Sequence, residues 1–385
     1  MREVAVLGIG QTPISEHWGI SLRDLAASAV KSALQDADRS RVDGLFLGNM
    51  LSCSLNHQVN LAVLIAEWSG LRSTEAVKFE TACSSGASAF RAGLIAVASG
   101  ELDSAIIVGV EKMSDSKMVS TTSALAAAAD ADYETAHGLS FVALNALIMQ
   151  RYMHEYGWDH ADFAPLSITA HQNAVHNTNA RLQDGITEAE YKEARMVAEP
   201  INILDASPIG DGAAAVLLVP ADEIAASSHN PRVKVIASAA GTDRIAIHDR
   251  RDPLWLTAAE ISANRAYAQA GIGAETVDVF ELHDAFTVIS VLSLEACGFA
   301  ERGHGPRLGL DGEIGLTGRI PISTFGGLKA RGHPVGATGI YQIVELTMQL
   351  RGNAGDNQVE SVHYGMAQNI GGSGATVVTH ILEKQ

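Results

Sequence analysis

The chain has 385 residues, 44 of them acidic and 27 basic, for a net charge of −17; 47% are hydrophobic and 18% charged. That apolar fraction excludes a disordered chain, and the length suffices for one very large core or two ordinary ones. The acidic balance excludes nucleic acid or an anionic membrane as the main partner, because both require a basic surface.

The N-terminus, Met1-Arg2-Glu3-Val4-Ala5-Val6-Leu7-Gly8, has one basic residue and an apolar run too short for a signal peptide, so it reads as the first core strand. A helix is predicted over 22–36 and an apolar strand over 42–47. Cys53 falls in a polar loop without a base nearby in sequence and reads as inert. Glu80-Thr81-Ala82-Cys83-Ser84-Ser85-Gly86 then opens a helix. From 83 to 99 the only charge is Arg91, and small residues occupy every face. Such a helix is buried on all sides and, at roughly 25 Å, spans the space between two sheets. A thiol at a helix N-terminus meets the positive end of the dipole and free N–H groups, both of which favour thiolate. Cys83 is therefore the candidate nucleophile. A strand at 104–110 comes next.

Residues 114–204 read as an excursion, with a helix at 141–156 and polar connectors such as Asn177-Thr178-Asn179. His154, His171 and His176 lack metal-ligand spacing on one helical face and read as polar surface or packing residues. The first half resumes at Asp205, where Asp211-Gly212-Ala213-Ala214-Ala215 leads from a Gly turn into a fully buried strand. After it are predicted a strand at 232–242, a helix at 256–270 and a strand at 277–282. His283, in Glu281-Leu282-His283-Asp284-Ala285-Phe286, sits just past a strand end, a common place for a catalytic group in layered α/β proteins. The apolar run at 286–294 is far short of a membrane span, and Cys297 beyond it reads as inert.

His333 lies in Gly332-His333-Pro334-Val335-Gly336-Ala337-Thr338-Gly339; a neutral imidazole within reach of a thiol takes its proton. Strands are predicted at 359–363 and 375–379. Between them, Gln368-Asn369-Ile370-Gly371-Gly372-Ser373-Gly374 offers backbone N–H groups to an oxyanion, with Gly371 the expected donor. Neither Gly run is a nucleotide fingerprint, since no Walker lysine and no strand–GxGxxG–helix is present. Three cysteines without disulfide or metal spacing fit a reducing compartment, so a soluble cytoplasmic protein is expected.

The chain repeats itself. Strand, helix and strand at 3–12, 22–36 and 42–47 return at 232–242, 256–270 and 277–282, offset by about 230–235 residues. Cys83 and His333 each open a helix, with a Gly three residues later. Duplication of one β-α-β half accounts for this order, and pseudo-symmetry brings the two helix starts together. The expected fold is a five-layered α-β-α-β-α sandwich. One half covers 1–113 plus 205–230, the inserted loop domain 114–204, and the second half 231–385.

These residues resemble the thiolase superfamily over nearly the whole chain, from Glu3 to Thr379. The motif from Gly332 to Gly339 carries most of the likeness, and the Cys83 context, the Asp211-Gly212 turn and the block from His283 to Phe286 agree with it. The greatest likeness is to archaeal-type and sterol-carrier-protein-type thiolases. Other thiolases carry Asn-Glu-Ala-Phe where this chain has His283-Asp284-Ala285-Phe286, and a second catalytic cysteine where it has Asn369. Asn does not titrate, and the sterol-carrier type's substitute cysteine would stand at Ala285. His283 and His333 are the titratable groups left.

The resemblance implies an acetyl-CoA C-acetyltransferase that forms or cleaves acetoacetyl-CoA through an acyl-cysteine. Cys83 is acylated. His333 activates it and helps bind a thioester oxygen, and His283 exchanges protons with the second acyl group. The backbone N–H groups of Cys83 and Gly371 hold the oxyanion. CoA thioesters are the substrates, with no permanently bound cofactor and no metal. The insertion and Ser207 would bind CoA. Arg181, Lys329 or Arg331 would offset its charge, although Lys329 and Arg331 serve equally well as buried ion-pair partners. Expected partners are a second copy of the chain in a dimer or tetramer, a small zinc-bearing OB-fold protein and a hydroxymethylglutaryl-CoA synthase. The rival readings are an acyltransferase with a non-CoA acceptor and a noncatalytic or retro-aldolase-type scaffold subunit.

Overall fold

The computed structural model describes residues 2–224 and 231–385. The boundary expected between the halves abuts residues 225–230, which lie outside the described residues.

Strands β1 (Val4–Gln11), β2 (Gly44–Gly48), β3 (Glu75–Phe79) and β4 (Ala105–Glu111) open the chain. A long excursion holds the small hairpin β5 (Met196–Ala198) and β6 (Ile201–Asn202), and β7 (Gly212–Pro220) completes the first half. β8 (Val233–Thr242), β9 (Val279–Glu281), β10 (Tyr364–Gly371) and β11 (Thr376–Lys384) build the second. The large sheet runs β3-β2-β4-β7-β1-β8-β11-β10-β9. Read outward from its middle, β1-β7-β4-β2 mirrors β8-β11-β10-β9. The counterpart of β3 is reduced to one parallel bridge between Phe280 and Ile322. The halves join where β1 meets β8, through Ala5 with Lys234 and Val6 with Val233.

β7 is apolar along its whole length because both of its faces are covered. Ala213, Ala215 and Leu217 join Leu45, Ile106 and Val108 beneath helices Leu22–Asp36 and Leu61–Trp68. Ala214, Val216 and Leu218 turn the other way, into a central cluster with Phe90, Ile340 and Val344. Val279, Ala367 and Leu382 of the second half enter that same cluster. Met366, Ile370, Val377 and Ile381 point outward, beneath helices Thr257–Ala270 and Thr287–Ala296. The result is five layers, α-β-α-β-α, with Ser85–Ser99 and Thr338–Arg351 as the shared middle layer. These two helices start so close together that a Cβ on Gly86 would lie 2.8 Å from the Gly336 carbonyl oxygen. Only glycine fits such an approach.

The helices at Leu22–Asp36 and Phe141–Tyr156 have the expected bounds. The strand expected at 359–363 does not form. Ser361 adopts a left-handed backbone (φ 57), which breaks an extended run, and pairing begins at Tyr364. The excursion leaves the first half but packs on the second. Met149, Tyr152, Phe163 and Leu166 share a cluster with Val288, Val291 and Leu292. Asp205 pins the return, accepting hydrogen bonds from Tyr191 Oη and Thr287 Oγ1 at 2.5 Å each. No helix among the described residues is long and apolar enough to cross a membrane.

Candidate active site

The chain leaves β3 at Phe79 and reverses over Glu80–Ala82 before the next helix begins at Ser85. Ala82 takes a left-handed conformation (φ 53), which costs a non-glycine residue about 1–2 kcal/mol. Three local bonds hold it there. Ala82 N–H donates to Glu80 Oε1 (2.5 Å), Ser85 Oγ donates to the Ala82 carbonyl (2.5 Å), and Thr81 N–H donates to Ser85 Oγ (3.0 Å). The turn thrusts the Cys83 side chain away from the sheet. Cys83 thus stands two residues ahead of the helix, not within its first turn as the sequence suggested.

The surroundings of the sulfur oppose the expected thiolate. The sulfur is reachable through a cavity but otherwise ringed by protein. Burial, and next the negative charge of Glu111, push the thiol up to about 12. Hydrogen bonds from the backbone N–H groups of Gly372 and of Cys83 itself oppose this without reversing it. The resting nucleophile is a neutral thiol, so attack needs a base.

Two histidines supply candidates. One ring nitrogen of His283, one of His333 and the Cys83 sulfur all lie within 4.8 Å of one another. The two rings meet edge to face, with centroids 5.1 Å apart. His333 Nδ1 lies 2.7 Å from Thr338 Oγ1, whose own hydrogen goes to the Pro334 carbonyl (3.2 Å). Thr338 therefore accepts from Nδ1–H, leaving the Nε2 lone pair of His333 free. His283 Nδ1 lies 3.0 Å from Asn369 Nδ2. Burial pushes both imidazoles down, His283 to about 3; the Arg331 charge adds to this at both rings, and His283 adds to it at His333. Both are neutral at pH 7.

Glu111, at the end of β4, locks this arrangement from behind. Its carboxylate accepts from Asn49 Nδ2 (2.8 Å), from Met50 and Leu51 N–H (2.9 and 3.0 Å) and from Gly336 N–H (3.0 Å). It thereby fastens the His333 loop of one half to the β2 loop of the other. Burial pushes its carboxyl up to about 7, while the backbone donors pull it back. In front of the three reactive groups opens a cavity of about 520 Å³. Its walls are mostly apolar, among them Met113, Leu125, Phe141, Ile209, Phe286 and Val335, and the excursion supplies one side.

Residues 4–222 match the thiolase N-terminal domain, and residues 239–384 match the thiolase C-terminal domain-like family. The chain belongs to the thiolase family. It is 42% identical to an acetyl-CoA acetyltransferase of Methanothermobacter thermautotrophicus, covering 100% of both chains. A second acetyl-CoA acetyltransferase, from Methanocaldococcus jannaschii, is 37% identical over 99% of each. Among solved structures, the Ltp2-ChsH2(DUF35) aldolase superposes with a TM-score of 0.86 at 25% identity, covering 99% of this chain and 98% of that one.

Within this thiolase fold, the cavity gathers Cys83, His283, His333 and Ser207. It does not gather the other expected residues. Gly371 is wedged against the Thr81 carbonyl and Ser84 Oγ, and its neighbour Gly372 lines the cavity instead. Arg181 pairs with Glu16 (2.6 Å) away from the cavity. Lys329 is fully buried and donates to the Asp205 carbonyl (2.6 Å), and Arg331 is buried in an ion pair with Glu345. Arg331 is thus the buried ion-pair partner that the sequence allowed, Lys329 is held by a backbone carbonyl instead, and neither cation lines the cavity. The cation at the cavity is Arg195, exposed and without an ionic partner among the described residues. Sequence reading missed it, together with Glu111 and Thr338. Thr338 was at least signalled, standing five residues after His333 at the start of a helix. His171 is buried on the Asp184 carbonyl (3.2 Å), and His154 and His176 are exposed. Cys53 is exposed and Cys297 buried, and neither lines the cavity.

Proposed function

We propose that this protein is an acetyl-CoA C-acetyltransferase that makes or cleaves acetoacetyl-CoA. The observation that carries the reading is the meeting of one thiol and two imidazoles, within 4.8 Å of one another, at an apolar cavity of about 520 Å³. In the first half-reaction His333 Nε2 takes the Cys83 proton as the sulfur attacks the thioester carbonyl. The tetrahedral oxyanion is held by the N–H groups of Cys83 and Gly372. Collapse expels CoA thiolate, which recovers the proton from His333, and leaves acetyl-Cys83. In the second, His283 removes a Cα proton from another acetyl-CoA, and the resulting carbanion attacks the acetyl group. Acetoacetyl-CoA and the free thiol are the products.

CoA enters past the excursion, residues 114–204, which we read as a loop domain between halves at 1–113 plus 205–230 and 231–385. Ser207 supports the pantetheine arm, and Arg195, in place of Arg181 and Lys329, offsets the phosphates. Two curated acetyl-CoA acetyltransferases at 42% and 37% identity support this chemistry over a non-CoA acceptor or a scaffold role. Three unpaired cysteines fit the cytoplasm. The free edge of β3, with Val77 part-exposed, offers strand pairing to a second copy. The two-component Ltp2-ChsH2(DUF35) aldolase supports a second protein as partner, and the family likeness suggests that it is a small zinc-bearing OB-fold protein, with a hydroxymethylglutaryl-CoA synthase as a third.

Incubation with labelled acetyl-CoA tests the reading. A stoichiometric, hydroxylamine-sensitive adduct on Cys83, followed by acetoacetyl-CoA, is expected. An unlabelled enzyme would refute it.

A further inference from the structure

We propose that Asn369 is the positioning residue that sets the tautomer of His283, and that rotation of its amide switches this one imidazole between hydrogen-bond donor and base. The inference rests on the reading of His283 as the Cα base. Asn369 is buried in β10 and does not line the cavity, so any influence on the chemistry passes through its neighbours. Its Nδ2 faces His283 Nδ1 at 3.0 Å. Its Oδ1, close to Gly339 and the start of the Cys83 helix, has no hydrogen-bond partner. A buried carbonyl oxygen without a donor is costly, so the amide is not anchored in this orientation by its second end.

The two orientations differ in consequence. With Nδ2 donating, His283 Nδ1 carries the lone pair and Nε2 carries the hydrogen. The ring then donates from Nε2 to a thioester oxygen but has no lone pair there to take a proton. After a half-turn of the amide, Oδ1 accepts from Nδ1–H and Nε2 bears the lone pair. The Cα–H bond of acetyl-CoA then breaks toward Nε2, its electron pair passes to the thioester as an enolate, and Oδ1 supports the imidazolium that forms. The new carbon–carbon bond forms as the acetyl–sulfur bond of acetyl-Cys83 breaks, and the proton held by His283 passes to the departing Cys83 thiolate. The charged and titratable groups facing His283 are Cys83 and His333 in the cavity and Arg331 behind it. Asp284, next in sequence, is turned away to accept from Leu328 N–H at 2.7 Å. No carboxylate stands where Asn369 does, so the amide alone decides the tautomer.

The test measures deuterium uptake at Cα of acetyl-CoA in heavy water by NMR, alongside labelling of Cys83 by acetyl-CoA. Asn369→Leu keeps the shape and removes both hydrogen-bonding ends. Exchange should fall by about a hundredfold, within the range of a lost general base, while Cys83 is still acylated. Asn369→Asp offers only acceptor oxygens. Exchange should persist, with the acidic limb of its pH profile moved to higher pH, because a carboxylate favours the imidazolium. His283→Ala should abolish exchange and keep acylation. Wild-type exchange in Asn369→Leu would overturn the proposal alone. So would an Asn369→Asp enzyme that is acylated yet exchanges no faster than Asn369→Leu. Exchange surviving in His283→Ala would overturn the base assignment and the proposal with it. Acylation reports folding for each variant; should Asn369→Leu fail to acylate, the Asn369→Asp profile decides.

Discussion

The two halves present their reactive side chains by one device with two settings. Ala82 (φ 53) precedes Cys83 and Gly332 (φ 110, ψ 166) precedes His333, so each reactive residue follows one with positive φ. In the first half the helix starts two residues on, at Ser85, and the sulfur receives hydrogen bonds from backbone N–H groups. In the second half a 3₁₀ turn starts two residues on, at Val335, the α-helix follows only at Thr338, and the imidazole is held by the Thr338 side chain. A nucleophile gains from donors that also serve its oxyanion, whereas a base needs one nitrogen tied so that the other stays free. Both halves set a positive-φ residue before the reactive one and differ in the residues after it.

The comparison breaks most decisively at the nucleophile. Cys83→Ala should remove the acyl adduct and lower turnover by roughly four orders of magnitude or more, read by label incorporation and acetoacetyl-CoA formation. The next contrast separates the histidines. His333→Ala should slow acylation by about 10²–10⁴, whereas His283→Ala should leave acylation intact and stop condensation; equal loss of both steps in either variant would erase the division of labour.

Protonation sharpens the same contrast. With the thiol pushed up to about 12 and burial holding the His333 imidazole well below its usual range, the resting Cys83–His333 pair is neutral rather than an ion pair. Alkylation of Cys83 by iodoacetamide should therefore keep rising with pH through about 9, where the thiolate fraction is still growing. A plateau established below neutrality would mean a thiolate–imidazolium pair. The mildest effect concerns the glycines three residues past each reactive side chain. A Cβ at position 336 would lie 2.6 Å from the Asn49 Cα and 2.7 Å from Glu111 Oε2, against 2.8 Å from one carbonyl oxygen at position 86. Thermal unfolding should show Gly336→Ala as the more destabilising of the two, by about 1–3 kcal/mol against wild type.

Much of this was readable in the chain. A helix free of charge except Arg91 between Cys83 and Ser99 has no face for water, which predicts the buried middle layer. The uninterrupted apolar run of β7 predicts a strand covered on both sides. Cys83 and His333 stood out because they open equivalent helices of a repeat, and His283 because it follows the end of a buried strand. These are local patterns, and local patterns report burial and element type.

Distances and charges across the fold were not readable. The elbow at Ala82 set the thiol ahead of the helix, and burial, with the charge of Glu111 from across the fold adding to it, outweighed the backbone donors that the local pattern favoured. Arg195 reached the cavity while Lys329 and Arg331 sank into the core, since a cation's role depends on which element covers it, not on its neighbours in the chain. The pairing of Asn369 with His283 arises only when β10 is laid parallel to β9. Periodicity along a chain specifies which faces avoid water; protonation and hydrogen-bond partners depend on dielectric and on atoms brought from the other half, and only the packed layers bring them together.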